Sequence, residues 1–431
     1  MPLLKVFVGF VLSYCATVCA SAFEPIVVAE DGAWTWFNDE RAIFNDDVFY
    51  VSYVKSDGTT AMTAIGLDGE SSLGEPNEFD LSTWKQKDDH NNAAFLALNG
   101  DEILTTYGTH GWHNAFYQRR LIVGDGGALI LSDEEKFEVV DTRRGLTYQN
   151  LMRLEGEGGR IYNFFRGNNF NPNFVTSDDD AESWSDPTLL LFVGENSNQR
   201  PYVKYISNGV DRIDIFYTDG HPRKVHQNNV YHMYYKEGTF FDSNGKEIRT
   251  LEALESRPLV PEEGTLVFDG SQDSGRGWVW DLEYDQEGQP YGAFISSPSG
   301  KMGSDMRYWT ARFENGEWVC EEIAYAGSNL YPQEEHYAGG IALDPNNDQQ
   351  LIISADVNPE TGEPLSGRVY QLFRGERQNG QWIWTQLTFD SVNDNLRPII
   401  VRGFPEALFW FSGKYRDYRT YDSRVMASLG F

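Results

Sequence analysis

Cysteine, positive charge and helical periodicity are all scarce in this chain, and each shortage narrows what it can be. Only three cysteines occur in 431 residues, and two of them, Cys15 and Cys19, fall within the first 22. That opening stretch reads as a signal peptide spanning residues 1–22: Lys5 near the start, an apolar run from Val6 to Leu12 continued by small residues, then Ala20, Ser21 and Ala22 before Phe23. Its removal leaves Cys320 alone, so no internal disulfide is expected and stability must come from a packed core. No other segment approaches the roughly 20 apolar residues of a membrane span. Residues 23–431 are therefore expected to form one secreted domain, extracellular or periplasmic, acting as a monomer.

Basic residues number 35 against 65 acidic ones, a formal charge of −30. Nucleic acid is excluded as a natural partner by such a field. An anionic ligand would be repelled at long range as well, unless basic side chains are gathered at one place. Helical periodicity is nearly absent, while aromatics make up 14% of the chain and glycines number 41, which together indicate an all-β protein.

What is present is a repeat. Seven short hydrophobic runs, each preceded by a turn rich in Gly, Asp or Asn, begin near Val48, Ile103, Ile161, Ile213, Tyr291, Leu351 and Leu408, at intervals of 52 to 78 residues. A four-stranded propeller blade needs about 40 to 50 residues plus loops. Seven blades account for residues 23–431 without a second domain, so a seven-bladed β-propeller is expected. Ser177, Asp179, Ala181, Ser183 and Trp184 resemble the Asp-box turn of sialidase-like propellers, with Ala181 where that pattern has glycine.

The repeat also has a phase. Thirteen residues before three successive runs stand His90, Tyr148 and Arg200, and the same count reaches Trp278 and passes within two residues of His336 and Arg397. Each of the first three is followed by an apolar strand, a tight turn (Asn99 to Glu102, Glu155 to Arg160, Ser207 to Arg212) and the next run. In a hairpin the start of the first strand and the end of the second lie together. His90 should thus neighbour His110, Tyr148 should neighbour Arg166, and Arg200 should neighbour Asp219 and His221, all on one face around the channel.

Such a set suits β-elimination from a uronic acid. The C5 proton becomes removable once an arginine or protonated histidine neutralises the adjacent carboxylate. A base takes the proton and an acid protonates the oxygen leaving C4; histidine suits either role, and a tyrosine beside an arginine can serve as base because positive charge favours the phenolate. Arg119, Arg120, Arg143, Arg144, Lys204, Arg223 and Lys224 lie near the rim in sequence and can attract an anionic polysaccharide. Tyr107, Trp112, Tyr117, Tyr202, Trp278 and Trp280 are candidates to stack on sugar rings or to fill the core.

The strings from Asp88 to Ala93, Tyr107 to Gly111, Thr147 to Asn150, Phe164 to Gly167, Arg200 to Tyr202, Thr218 to Pro222 and Glu335 to Pro345 resemble the BNR-repeat propellers that include ulvan lyases of polysaccharide lyase families 24 and 25. The likeness runs from about Asp88 to Pro345. It implies a seven-bladed propeller that cleaves ulvan, a sulfated polymer of rhamnose and uronic acid. It further implies His90 and Tyr148 as proton acceptor and donor, Arg166 as carboxylate neutraliser, and His110 beside them, with His113, Arg200, Tyr202, His221 and Asn91 binding substrate. The chemistry needs no cofactor. Some relatives hold a structural zinc or calcium, for which His221, His232 and His336 are the candidate ligands here. Two other readings stay open, a sialidase-like hydrolase using Arg166, Arg200 and Arg397, and a non-catalytic sugar-binding propeller.

Overall fold

In the computed structural model residues 23–431 are described, apart from 70–71, 99–101, 124–128, 140–145, 168–169, 195–198, 273 and 299–302. The expected signal peptide, residues 1–22, and the pair Arg143 and Arg144 lie outside the described residues. Each of the seven hydrophobic runs forms the second strand of an antiparallel sheet: Val48–Val54, Glu102–Gly108, Arg160–Arg166, Arg212–Thr218, Pro290–Ser297, Gln350–Ala355 and Ala407–Asp417. A second strand is flanked by partners on both edges and by neighbouring blades on both faces, so its two alternating faces are both apolar. In Val48–Val54 and Arg160–Arg166 every residue after the first is buried.

The seven sheets are the blades of a β-propeller, with the first strands of successive blades packed against one another around the axis. The longest interval in the repeat, from Ile213 to Tyr291, has a local cause: the fourth blade carries the extra strands Glu247–Thr250 and Thr265–Phe268. The last blade contributes Asp394–Ile400, Ala407–Asp417 and Thr420–Leu429, and takes its outermost strand, Ile26–Ala29, from the other end of the chain. No helix among the described residues is long and apolar enough to cross a membrane.

Aromatic side chains fill the axis beneath the expected rim. Trp36 stacks on Trp280 with ring centroids 3.8 Å apart, and Trp278 and Tyr337 meet Trp36 edge-on. This packing settles most of the sugar-stacking candidates: Tyr107, Tyr117, Tyr202, Trp278 and Trp280 are buried, whereas Trp112 is 58% exposed. The degenerate Asp-box forms in full in the third blade. Asp179 accepts bonds from the Ser183 amide and hydroxyl, Ser177 Oγ accepts from the Ala181 amide, and Ala181 adopts the left-handed φ of 65° that glycine would take more easily.

Candidate active site

The backbone at the rim is unusual in the same place on three blades. Tyr148, Arg200 and Arg397 all have positive φ, at 64°, 61° and 49°. Around Tyr148 and Arg397 the pairing of inner and second strands slips, between Thr147 and Asn150 and between Leu396 and Ile399. Such a bulge re-aims a side chain that would otherwise follow the alternation of the strand. Arg397 thus occupies the same place in its bulge as Tyr148 does, although it stands two residues out of phase in the sequence.

The expected hairpin neighbours meet. His90 sits in a short 3-10 turn, Asp89–Asn91, capped by Asp88, and its ring stacks on His110 at 4.4 Å and on Tyr148 at 5.3 Å. Arg166 donates from Nη1 to the Tyr148 hydroxyl at 3.3 Å and to the Tyr202 hydroxyl at 3.2 Å, and its Nη2 lies 3.3 Å from His110 Nε2. Behind the imidazoles, Asp88 places one oxygen 2.6 Å from His90 Nδ1 and the other 2.8 Å from His110 Nδ1. The second contact puts a proton on His110 Nδ1, leaving its Nε2 as the lone pair that faces the arginine.

Electrostatics separates the two histidines. Burial opposes a charged His90, but Asp88 and Asp89 outweigh it and raise its pKa. Burial and the neighbouring His90 charge push His110 down to about 4, against the pull of Asp88. One imidazole is thus biased toward the cation and the other toward the neutral form, the pattern from which acid and base assignments are read. The expectation that Arg166 would favour a Tyr148 phenolate does not hold: burial dominates and moves the phenol well above 10, so Tyr148 keeps its proton. The nearby carboxylates Asp88 and Asp89 are buried behind the rings.

Other sequence candidates take different places. Arg200 lies over the Phe170 ring at 4.1 Å, with its pKa lowered by burial and by Arg166. His221 is buried with its ring 5.4 Å from Tyr202, its amide donates to the Gln199 carbonyl, and burial together with the His336, Arg223 and Arg200 charges pushes its pKa well down. Asn91, a candidate substrate ligand, is fully buried, donating to Gln86 and accepting from the His110 amide. His113 also stands apart from the imidazole pair, bonded to Tyr117 at 2.5 Å and edge-on to Trp84. Arg397 cannot serve a sialidase-like arginine triad, because it is buried and ion-paired to Asp89 at 2.6 Å. Of the basic rim residues, Arg120 pairs with Glu102, Lys204 is buried against Asp39, and Arg223 pairs with Glu334.

The three proposed metal ligands do not converge. His232 spends both ring nitrogens on Asp214 and Ser243, while His221 and His336 stand with centroids 6.4 Å apart. Among the described residues the compact donor group is Asp88, His90 and His110. Donors at about 2.0–2.1 Å from a tetrahedral zinc stand roughly 3.3 Å apart, wider than the 2.8 Å hydrogen bond from His110 Nδ1 to Asp88 and the 2.6 Å contact of His90 Nδ1, which lacks hydrogen-bond geometry. Sequence reasoning left Asp88, Asp89, Glu334 and Tyr418 without roles. The first two were legible as acids adjoining His90, but Tyr418, edge-on to His90 at 5.1 Å, arrives only through closure of the ring.

Residues 48–326 match the BNR repeat-containing family. The chain belongs to that family. Among solved structures, this BNR-repeat propeller is similar to a PL25 ulvan lyase, including its complex with -[GlcA(1-4)Rha3S]-, at a TM-score of 0.67 and 15% identity over 94% of this chain and 96% of that one. A GH93 α-L-arabinofuranosidase of Fusarium graminearum follows at 0.44 and 10% identity, over 78% and 92% of the two chains. The NanB sialidase from Streptococcus pneumoniae gives 0.40 and 11%, over 100% and 71%.

Proposed function

We propose that this protein is a secreted polysaccharide lyase that cleaves ulvan by β-elimination at the uronic acid. The observation that carries this reading is the meeting of a neutral imidazole and a protonated phenol on one guanidinium, His110 and Tyr148 on Arg166. A uronate carboxylate entering beside Arg166 and cationic His90 has its charge offset, which acidifies the C5 proton. His110 Nε2 accepts that proton. The C5–H electron pair becomes the C4–C5 double bond, the C4–O4 bond breaks, and Tyr148 delivers its proton to the departing O4. Substrate charge would also offset the cations that now depress His110, moving it toward the pH range in which a general base is efficient.

His90 therefore becomes a neutraliser alongside Arg166, in place of the acceptor role suggested by family likeness. The choice of ulvan is supported by the resemblance to the PL25 enzyme and by the Arg166 and Arg200 guanidinium groups gathered at the site of an otherwise acidic chain. No step calls on a metal. Incubation with ulvan, alginate, pectin and a glycosaminoglycan, followed by the ultraviolet absorbance of unsaturated uronate, tests the reading. Product from ulvan is expected; reducing ends released without that absorbance would mark a hydrolase, and no product from any polymer would defeat the lyase assignment.

A further inference from the structure

The outer edges of the blades carry charge, with one long exception. Asn77–Lys85 holds Glu78, Asp80 and Lys85, Glu135–Glu138 holds three charges in four residues, and Glu317–Gly327 holds three glutamates. Charged side chains keep the open amides and carbonyls of an edge strand from pairing with another chain, and so does shortness. The uncharged edges Ile26–Ala29 and Thr188–Leu189 span only four and two residues. The outermost strand of the sixth blade, Gln381–Gln386, has neither protection: it reads Gln, Trp, Ile, Trp, Thr, Gln. Among the described residues it pairs with Gln371–Gln378 alone, through the two-residue turn Asn379–Gly380. Both turn residues have positive φ, 52° and 79°, the type I′ geometry that closes on a doubly bonded pair, here Gln378 with Gln381. By alternation, the amides and carbonyls of Trp382, Trp384 and Gln386 point outward, off the edge of the sheet.

Apolar surface follows the same edge. Ile383 is 43% exposed, Phe389 76% and Val392 60%, so three of the ten large apolar side chains exposed among the described residues fall within ten positions. From Gln381 to Asn393 the one charged residue is Asp390. The loop that follows the strand is well bonded. Asp390 Oδ1 accepts from the Val392 and Asn393 amides at 2.7 and 2.9 Å, and the Asp390 backbone exchanges two bonds with the Gln371 side chain. Phe389 and Val392 are thus held out to solvent by a fixed turn. Single exposed apolar residues are ordinary, but a contiguous set on an ordered edge marks an interaction surface.

We propose that this edge pairs with a second copy of the chain, the two Gln381–Gln386 strands adding antiparallel across a two-fold axis. Charge selects the partner. Two chains of formal charge −30 repel one another, and least where neither brings a charge to the contact. Self-pairing of Glu135–Glu138 or Glu317–Gly327 would bring glutamates together. Outward-pointing backbone groups bond only to outward-pointing ones, so a two-fold register centred on Trp384 sets Trp382 against Gln386 and Ile383 against Thr385, with no like charges opposed. Phe389, three positions past Gln386, then lies toward the Asn379–Gly380 turn of the copy. The sixth blade supplies none of His90, His110, Tyr148 and Arg166. The dimer is therefore independent of the lyase reading, and it replaces the monomer expected from the sequence.

Sedimentation velocity over about 1–100 μM protein, at low and high salt, tests the pairing. The weight-average mass should climb toward that of two chains. It should climb further in high salt, because screening weakens the mutual repulsion and this interface contains no ion pair to lose. Ile383→Glu and Phe389→Glu, each placing a charge beside its own copy, should weaken dimerisation by about ten-fold or more, with thermal midpoints unchanged. Hydrogen exchange on the parent protein gives a reading that needs no variant: the Trp382, Trp384 and Gln386 backbone amides should slow as concentration rises. A parent that stays monomeric at every concentration and salt would overturn the inference. So would a dimer of equal strength in both variants, one that high salt dissolves, or exchange at these three amides that ignores concentration.

Discussion

Asp88 has no exposed surface, yet its two oxygens govern both imidazoles in front of it. It favours the cation on His90 and fixes the tautomer of His110. Because the folded pKa of His90 is raised, its contribution to stability is fully present below an unfolded value of about 6.5 and is lost as pH rises through the folded value. Replacing Asp88 with Asn removes the main charge that raises His90. The alkaline limb of the kcat/KM profile should then move to lower pH, and the fall in thermal midpoint above neutrality should flatten; an unmoved limb would remove His90 from the carboxylate-neutralising role. Tyr148→Phe tests the donor. It should lower kcat by about 10²–10⁴-fold while polymer binding changes by roughly three-fold or less, as read by product absorbance and calorimetry. His90, Tyr148, Arg166 and His110 were legible because repeat phase and hairpin geometry are local rules. The bonds of Asn91 to Gln86 and the His110 amide were not legible, because its neighbours in sequence say nothing of which way its side chain faces.

At the scale of single elements, the second strands were the most legible, since burial on both faces writes a continuous apolar run. The inner strands were less so. Their bulges at Tyr148 and Arg397 depend on positive φ, which neither residue type advertises. The Asp-box turn shows the opposite case: its side chains held the motif even though Ala181 replaced glycine. Asp179 joins Ser177 and Ser183 across this turn, and Trp184 closes it by donating to Gln118 at 3.0 Å and packing edge-on to Phe116. Asp179→Ala should therefore cost about 1–2 kcal/mol of stability, measured by denaturant unfolding. Turnover should be unaffected, because the turn lies between the outer strands of its blade.

For the whole molecule, the seven-fold period was visible in the chain, but the means of closure was not. A four-residue strand such as Ile26–Ala29 carries too little pattern to reveal its partner, Thr420–Leu429, nearly 400 residues away. Val28 and Ala29 are buried in that seam. A protein beginning after Ala29 should lose about 3 kcal/mol or more, seen as a lower thermal midpoint and easier proteolysis of the last blade. Retention of the full midpoint would show that the outermost strand is dispensable to the ring.

Closure reaches the chemistry through one chain of contacts. Asp89, beside His90, accepts from Arg397 and Tyr415; at the entry to the first blade the Trp34 indole donates to the Arg397 carbonyl and Arg397 Nη1 donates to the Trp34 carbonyl. The Asp89 amide also donates to the Tyr418 carbonyl. Histidine 90 is therefore set in place by residues made more than 300 positions after it. A chain still missing its final blade would carry His90, His110, Tyr148 and Arg166 but none of the contacts from Arg397, Tyr415 and Tyr418 that anchor Asp89 beside them.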